Sequence, residues 1–286
     1  MDKVLLMSLG SRGDMEPFLA LGEELKEKGH EIAFCLPAQF NALAQEVSPN
    51  FYPMTPAFLE LLDDPDVKSI TGQIGSGWKR IRTIFKLLRS TKPIQQQLIK
   101  DQKEAVDRFA PNRIVFHIKC IYPIVAALRK QQSVELLSPV PCLLHPVHQE
   151  PAIGFGSPKS AWWNKMTYHI SNSALINQAI LGYANPVLES LDIKPLKKKE
   201  LKRYLLEELP VEFAIDQRLF PRPKEWPAHV RISQFRERNK SKHWTPSAEL
   251  LTFLESHPNP LYIGFGSMVN GRPKQIGSDI LEVTKT

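Results

Sequence analysis

The segment from residue 4 to residue 18 constrains the fold more than any other part of the sequence. Val4–Leu9 is a short apolar run, which is typical of a central strand that is covered on both faces. Gly10 and Gly13 follow this run, and glycine lets a backbone turn sharply and approach another molecule closely. The segment therefore predicts a buried strand that ends in a glycine-bearing loop.

A helix and a second strand are predicted directly after this loop. Asp14 can cap the helix, and Pro17 suits its first turn. Gly29 is expected to end the helix, and residues 32–36 are the next apolar run. This strand–helix–strand unit places the loop at the carboxyl end of the first strand, where open parallel sheets bind their ligands.

Strands and helices alternate along most of the chain. We predict further strands at residues 113–117, 140–144 and 211–215, an edge strand at 51–54, and helices at 123–131 and 161–191. Pro53 forbids a central position for the strand at 51–54, because proline cannot donate to a ladder. The alternation predicts an α/β fold with a doubly wound parallel sheet.

The composition narrows the classes of function. The chain has 286 residues, a hydrophobic content of 42% and a charged content of 23%, which are ordinary values for a soluble globular protein. The N-terminal region resembles no signal peptide and no run is long enough to span a bilayer, so a cytoplasmic location is expected. Three isolated cysteines predict neither a disulfide framework nor a zinc site.

The charge balance favours anionic partners. The net charge of +7 suits nucleotide phosphates or acidic lipid surfaces. We find no motif for nucleic-acid recognition and expect no binding of nucleic acid. Residues 78–100 form a predicted basic amphipathic helix, which is either a surface helix docked on the sheet or a peripheral contact with an anionic membrane.

Two blocks of sequence carry a family resemblance. The first is Gly10-Ser-Arg-Gly-Asp-Met-Glu-Pro-Phe-Leu-Ala-Leu-Gly22 followed by Lys28-Gly-His-Glu-Ile32. The second is Phe220-Pro-Arg-Pro-Lys-Glu-Trp-Pro227, then Trp244 and Pro260-Leu-Tyr-Ile-Gly-Phe-Gly-Ser-Met268. In this order and separation they resemble the sterol- and lipid-type glycosyltransferases with a family 28 N-terminal domain, which are close to the antibiotic glycosyltransferases of the UDP-glycosyltransferase superfamily.

The resemblance implies a GT-B fold, which has two Rossmann-like domains. We predict a complete N-terminal acceptor-binding domain at residues 1–240, a proline-punctuated linker at 241–258, and only the beginning of a C-terminal nucleotide-sugar domain at 259–286. This beginning comprises a predicted strand at 261–265 and a predicted helix at 277–283. The histidine- and glycine-rich segment that holds the nucleotide in this family has no counterpart here. We therefore expect that this chain alone does not catalyse transfer.

The implied reaction is an inverting, metal-independent transfer of a hexose from a nucleotide sugar such as UDP-glucose, with no cofactor. The acceptor would be a hydroxyl of a lipid, a sterol or another small hydrophobic molecule. Such a transfer needs a base for the acceptor proton and a site for the departing diphosphate. Asp14 is the candidate base, because the family's proposed base lies in the same loop; the alternative is that Asp14 only caps the helix.

Other candidate site residues lie near the ends of the predicted strands or in the family's acceptor and donor regions. We expect the acceptor or cleft to involve Ser11, Arg12, Gly13, His117, His145, His148, Trp162 and Trp163, and the donor to contact Gly266, Ser267 and Met268. Arg12 suits a phosphate, since guanidinium groups bind phosphate well. Each histidine and each tryptophan has the alternative of a purely structural role.

A competing interpretation is a truncated, non-catalytic relative that binds an apolar ligand or pairs with a transferase partner. A nicotinamide dehydrogenase fits poorly, since the first loop lacks the G-x-G-x-x-G arrangement. The second strand also ends at Cys35-Leu-Pro37, which offers no acidic ligand for a ribose.

Overall fold

The computed structural model describes residues 1–63, 77–238, 245–264 and 273–284. Contacts between residues divide the chain into two units, and each is described by itself. The first unit comprises residues 1–59 and 90–238, and it holds the sheet and both hydrophobic cores. The second comprises residues 60–89 and 239–286. None of the described helices is long and apolar enough to cross a membrane.

The elements follow one another in this order: β1 (Lys3–Met7), α1 (Arg12–Glu27), β2 (Glu31–Pro37), α2 (Asn41–Gln45), β3 (Phe51–Met54), α3 (Ala57–Asp63), α4 (Gly77–Phe109), β4 (Arg113–Phe116), α5 (Tyr122–Lys130), β5 (Ser133–Ser138), α6 (Ala161–Ala174), α7 (Gly182–Ser190), α8 (Lys198–Arg203), β6 (Val211–Ala214), β7 (Val230–Ser233), α9 (Ala248–Ser256) and α10 (Pro273–Val283). A π-helical segment at Leu175–Leu181 joins α6 to α7, and another follows α8 at Tyr204–Glu208.

All seven strands form one parallel sheet in the order β3-β2-β1-β4-β5-β6-β7. This confirms the predicted α/β fold with a doubly wound sheet. β3 lies at one edge, as Pro53 requires, and β7 lies at the other. Because all strands run the same way, the loops after β1, β4 and β5 leave the sheet at the same edge.

Each face of the sheet has its own hydrophobic core. The larger core packs alternate strand residues such as Leu5, Phe116 and Phe213 against α4 to α8. The smaller core packs Leu6, Phe34 and their neighbours against α1. Gly22 of α1 allows this contact, because a Cβ atom there would lie 2.5 Å from the Phe34 ring.

A row of alternating charges crosses β4 to β7 on the face that carries the smaller core. We call it the ionic row; in order, its members are Arg113, Glu135, Arg231, Glu212, Arg236 and Glu24. Glu135 lies in contact with two arginines and its side chain is 7% exposed. The row pairs the buried carboxylates Glu135 and Glu212 with arginines, because an unpaired buried charge would destabilise the fold.

Two arginines after β7 fasten the end of the first unit onto α1. Arg236 Nη1 lies 2.7 Å from Glu24 Oε2. Arg238 reaches Glu23 Oε1 at 2.7 Å and Glu46 Oε2 at 2.8 Å, and its side chain is only 3% exposed. The backbone that leaves the sheet is therefore held by charge-assisted hydrogen bonds.

At the far side of the sheet, one strand prediction was wrong and one strand was missed. The strand predicted at 140–144 lies earlier, at Ser133–Ser138, because Pro139 and Pro141 cannot donate to a ladder and Cys142 and Leu144 have positive φ angles. β7 was not predicted at all. Its four residues include the charged Arg231, so their sequence carries little apolar signal.

The second unit contains α9, which lies inside the predicted linker, and α10, which includes the helix predicted from Gly277. A strand was predicted at 261–265, but Leu261–Gly264 carry none, since no neighbouring strand pairs with these described residues. Helix α4 includes the predicted helix at 78–100. The apolar face predicted for it involves residues 81–88, whose side chains lie outside the described part.

Replacing Arg238 by methionine tests the fastening of this segment. We expect the free energy of unfolding to fall by about 2 kcal/mol, because two hydrogen bonds from a buried cation are lost while the apolar stem is kept. Urea denaturation measures the change. The matched control is Arg218→Met, since Arg218 is 89% exposed and, among the described residues, forms its ion pair with Asp216, two residues before it. Equal stability of the two variants would contradict the prediction.

Candidate active site at the ends of β1 and β4

Three polar side chains meet where β1 and β4 end. Asp14 lies in the first turn of α1, directly after the loop that follows β1. His117 and Lys119 follow β4, which is the hydrogen-bonded neighbour of β1. His117 Nε2 lies 3.5 Å from Asp14 Oδ1, and Lys119 Nζ lies 3.4 Å from each carboxylate oxygen. The parallel pairing of the two strands thus builds the cluster from distant parts of the chain.

Asp14 is fixed by the start of the helix that carries it. Ser11 is the N-cap residue, and its backbone N–H donates to Asp14 Oδ2 at 2.7 Å, with its hydroxyl 3.3 Å from the same oxygen. The Ser8 hydroxyl donates to the Asp14 carbonyl oxygen at 2.7 Å. Asp14 therefore has the capping role that the sequence offered as an alternative.

His117 is a buried, neutral imidazole beside this carboxylate. Its Nδ1 accepts the Lys119 backbone N–H at 3.3 Å, so the ring hydrogen sits on Nε2, which faces Asp14. The ring is 3% exposed and lies edge-on to Phe18. Burial lowers the His117 pKa to about 4, and the Lys119 cation adds to this, while the negative Asp14 opposes it.

The two oxygens of Asp14 are not equivalent. Oδ2 accepts the Ser11 N–H at 2.7 Å, whereas the contacts of Oδ1 within the described part of the chain are longer, at 3.5 Å from His117 and 3.4 Å from Lys119. The Asp14 side chain is 20% exposed, and that of Lys119 is 41% exposed. Oδ1 therefore has the weaker contacts of the two oxygens and is the candidate for contact with an incoming hydroxyl.

Gly10 makes room for this arrangement. Its φ angle of +142° lies in a region that L-residues rarely adopt. A Cβ atom at this position would lie 2.1 Å from Asp14 Oδ2 and 2.7 Å from Lys119 Nζ. A side chain at residue 10 would therefore collide with the cluster itself.

The other residues of the first loop contribute less directly. The Arg12 side chain is 62% exposed and pairs with Glu16 at 2.9 Å, so it is not committed to the cluster. Gly13 lies in the first turn of α1, where the nearest atom to an added Cβ is Ser11 Oγ at 3.8 Å. The predicted contact of Arg12 with a phosphate stays a prediction.

Of the three candidate histidines, only His117 contacts Asp14. His145 follows β5, is 4% exposed, and lies against Trp226 and His229, with ring centroids 6.5 and 5.8 Å away. His148 is exposed, and its Nε2 lies 3.7 Å from Glu225. Neither has a recorded contact with the Asp14 cluster.

The predicted tryptophans lie at the start of α6. Trp162 is 68% exposed. Trp163 is half-buried, and Lys159 Nζ lies 5.4 Å from its ring centroid. The backbone N–H of Trp163 donates to the hydroxyl of the N-cap residue Ser160. The donor residues Gly266, Ser267 and Met268 lie outside the described residues. Lys119 was missed, because nothing in the local sequence shows that it lies beside Asp14.

Comparisons with known proteins bear on this region. Residues 4–113 match the model of the glycosyltransferase family 28 N-terminal domain. Two sterol 3-beta-glucosyltransferases of Arabidopsis thaliana are 25% and 24% identical to the chain. These alignments cover 99% and 98% of this chain, but 45% and 43% of the relatives. The chain therefore spans less than half the length of these relatives.

A solved structure shares the fold. The crystal structure of the glycotransferase of kitacinnamycin matches with a TM-score of 0.52 and 14% identity, over 86% of this chain and 55% of that chain. These findings confirm the resemblance to glycosyltransferases of the GT-B type. At this identity, the likeness to the solved structure shows the fold alone.

Replacing Gly10 by alanine tests the packing of the cluster. We expect a loss of about 3 kcal/mol in the free energy of unfolding, since backbone strain adds to displacement of the Asp14 carboxylate. Gly29→Ala is the matched control, because Gly29 also has a positive φ angle but has no atom within 4 Å of an added Cβ. It should lose only about 1 kcal/mol. Thermal or urea unfolding compares the two variants. A similar loss of stability in both would contradict a collision between a Cβ atom at residue 10 and the Asp14 carboxylate.

The buried His117 predicts a pH dependence of stability. The unfolded chain binds a proton at His117 below its ordinary pKa of 6.5, whereas the folded chain resists protonation until about 4. The free energy of unfolding should therefore fall as the pH falls from 6.5 towards 4. The free energy of unfolding of the His117→Gln variant should fall less between pH 7 and pH 5, as measured by urea unfolding at both pH values. An equal loss of stability in the unchanged chain and the variant would contradict the low pKa of His117. His145 is present in both proteins, so its contribution to the difference cancels.

Proposed function

We propose that this chain supplies the acceptor site and the general base of a glycosyltransferase. The enzyme would move a hexose from a nucleotide sugar, such as UDP-glucose, to a hydroxyl of a sterol, a lipid or another small hydrophobic acceptor. The observation that supports this most directly is the partly exposed Asp14 carboxylate, which contacts His117 and Lys119 at the ends of β1 and β4 and lies within the matched segment. The acceptor class rests on the names of the two plant relatives.

Asp14 would remove the proton of the acceptor hydroxyl. The hydroxyl would donate to Oδ1 while Oδ2 stays bound to the Ser11 N–H, so the carboxylate keeps its orientation during proton transfer. The hydroxyl oxygen would form a bond to the anomeric carbon as the bond to the nucleoside diphosphate breaks. A single displacement of this kind inverts the configuration at the sugar carbon.

The neighbours of Asp14 would tune this step. The neutral His117 places an Nε2–H near Oδ1 and leaves the carboxylate its negative charge. The Lys119 ammonium, on a flexible stem, would move from Asp14 as the hydroxyl enters, and its charge would then face the departing diphosphate. We propose that protein cations of this kind, without a metal ion, offset the charge of the leaving group.

The donor would be held by the part of the enzyme that corresponds to the remainder of the relatives. The predicted donor residues begin at Gly266. We accordingly propose that the 286-residue chain does not turn over by itself. A hydrophobic acceptor would be met at a cytoplasmic membrane surface, and the basic helix at residues 78–100 is the proposed peripheral contact.

A second candidate function is binding of an apolar ligand without catalysis. It is favoured by a cavity of about 460 Å³ near His145, whose lining includes no residue of the Asp14 cluster. In that case Asp14 would act only as a helix cap.

A fused protein tests the proposal. Residues 1–258 would be joined to the C-terminal half of one of the Arabidopsis relatives and assayed with radiolabelled UDP-glucose and a panel of sterols and hydroxyl lipids. We expect transfer, and a loss of about 10²–10⁴-fold in kcat for Asp14→Asn, which is the typical contribution of a general base.

The control is Asp192→Asn, which removes an exposed carboxylate outside the cluster and should leave kcat unchanged. Thermal unfolding of each variant verifies folding. Full activity of a folded Asp14→Asn variant would refute the role of Asp14 as base. Absence of transfer to every acceptor would contradict the proposed function, and robust turnover by the 286-residue chain alone would contradict the placement of the donor site.

A further inference from the structure

A cavity of about 460 Å³ lies between the loop after β5, helix α6 and the segment that begins with α8. Its lining comprises Leu144, His145, Pro146, Tyr168, His169, Asn172, Ser173, Ile176, Lys198, Lys202 and Leu206. The volume falls within the range of roughly 300–1,000 Å³ that is usual for small-molecule sites. The cavity is built entirely from the first unit.

The inner wall of the cavity is apolar. Leu144, Tyr168 and Ile176 are each at most 3% exposed, and Leu206 is half-buried. Asn172 is half-buried, but its amide is already engaged, because Nδ2 donates to the Leu144 carbonyl at 2.8 Å. The wall therefore suits a hydrocarbon body more than a polar ligand such as a free sugar.

The rim carries two lysines, Lys198 and Lys202. Lys198 and Lys202 are one helical turn apart on α8, and both are exposed. Among the described residues, neither lysine forms an ion pair. Two of the nearby acids are already occupied, since Glu200 pairs with Arg129 at 2.7 Å and Glu208 pairs with Arg203 at 2.8 Å. Glu207 lines a neighbouring cavity together with Lys202, but these two described residues form no ion pair. This rim is thus a ready site for an anion.

His145 gives an independent sign of a ligand. Its Nε2 lies 3.2 Å from the Leu206 carbonyl, which can only accept, so Nε2 carries the hydrogen of the neutral ring. Burial lowers the His145 pKa, which keeps the ring neutral. Its Nδ1 is then a buried acceptor, and it finds no donor among the described residues. Such groups usually have a partner in a complete site.

We propose that this cavity binds an anionic amphiphile, with the hydrocarbon body against the apolar wall and the carboxylate or phosphate between Lys198 and Lys202. A hydroxyl on the body would supply the donor that His145 Nδ1 lacks. The inference concerns binding only, and it holds whether or not the bound molecule is glycosylated. Failure of the transferase proposal would therefore leave it standing.

Dodecanoate and the uncharged 1-dodecanol serve as matched probes. Isothermal titration calorimetry on the 286-residue chain, below the micellar concentration, should show one dodecanoate per chain, bound more tightly than dodecanol. Lys198→Gln/Lys202→Gln should weaken dodecanoate about tenfold and leave dodecanol unchanged, because only the anion uses the lysines. Ser173→Trp, which places a large side chain in the cavity lining, should weaken both probes.

The control is Lys194→Gln/Lys199→Gln, which removes the same charge from the same basic run but changes no residue of the cavity lining. It should bind dodecanoate as the unchanged chain does. An equal loss in the control pair would show a general effect of net charge and overturn the proposal. Binding of dodecanol as tightly as dodecanoate, a stoichiometry well above one, or no effect of Ser173→Trp would also overturn it. Circular dichroism confirms that each variant is folded.

Discussion

A parallel sheet brings the carboxyl ends of all its strands to one edge, and this constraint decides where the candidate active site lies. The winding reverses between β1 and β4, because the chain proceeds outward from β1 to β3 and then returns to the other side of β1. The loops after these two strands diverge to opposite faces and leave a crevice between them. Asp14 and His117 lie at this reversal, although 103 residues separate them in the sequence.

The position of Asp14 shows how one side chain serves both folding and the candidate chemistry. The hydrogen bond to the Ser11 N–H begins helix α1, whose apolar side completes the smaller core. The same bond leaves one oxygen oriented towards β4. A base that is held by the helix it caps has lost its rotational freedom before any substrate arrives, which is the condition for efficient proton transfer.

The sequence predicted what depends on local patterns. The strand–loop–helix at the N-terminus and the edge position of β3 follow from apolar runs, glycine and Pro53, and both were confirmed. Contacts across the sheet were beyond reach, since nothing local tells that Lys119 meets Asp14 or that Lys198 lies beside a cavity with Tyr168. β7 was missed because this short strand carries Arg231 of the ionic row. The ion pair that stabilises Arg231 involves a residue far away in the sequence, so the local sequence around β7 resembles a loop.

The ionic row also determines how charge is distributed over the molecule. It contains three arginines and three glutamates, so the charges of its members sum to zero. The net charge of +7 must therefore come from other parts of the chain, and the run from Lys194 to Arg203 is rich in lysine. The first unit thus has a row of balanced charges and, in the run from Lys194 to Arg203, a strongly positive region. A diffusing anion would approach the positive region first, so the electric field of the protein would orient such a molecule before contact.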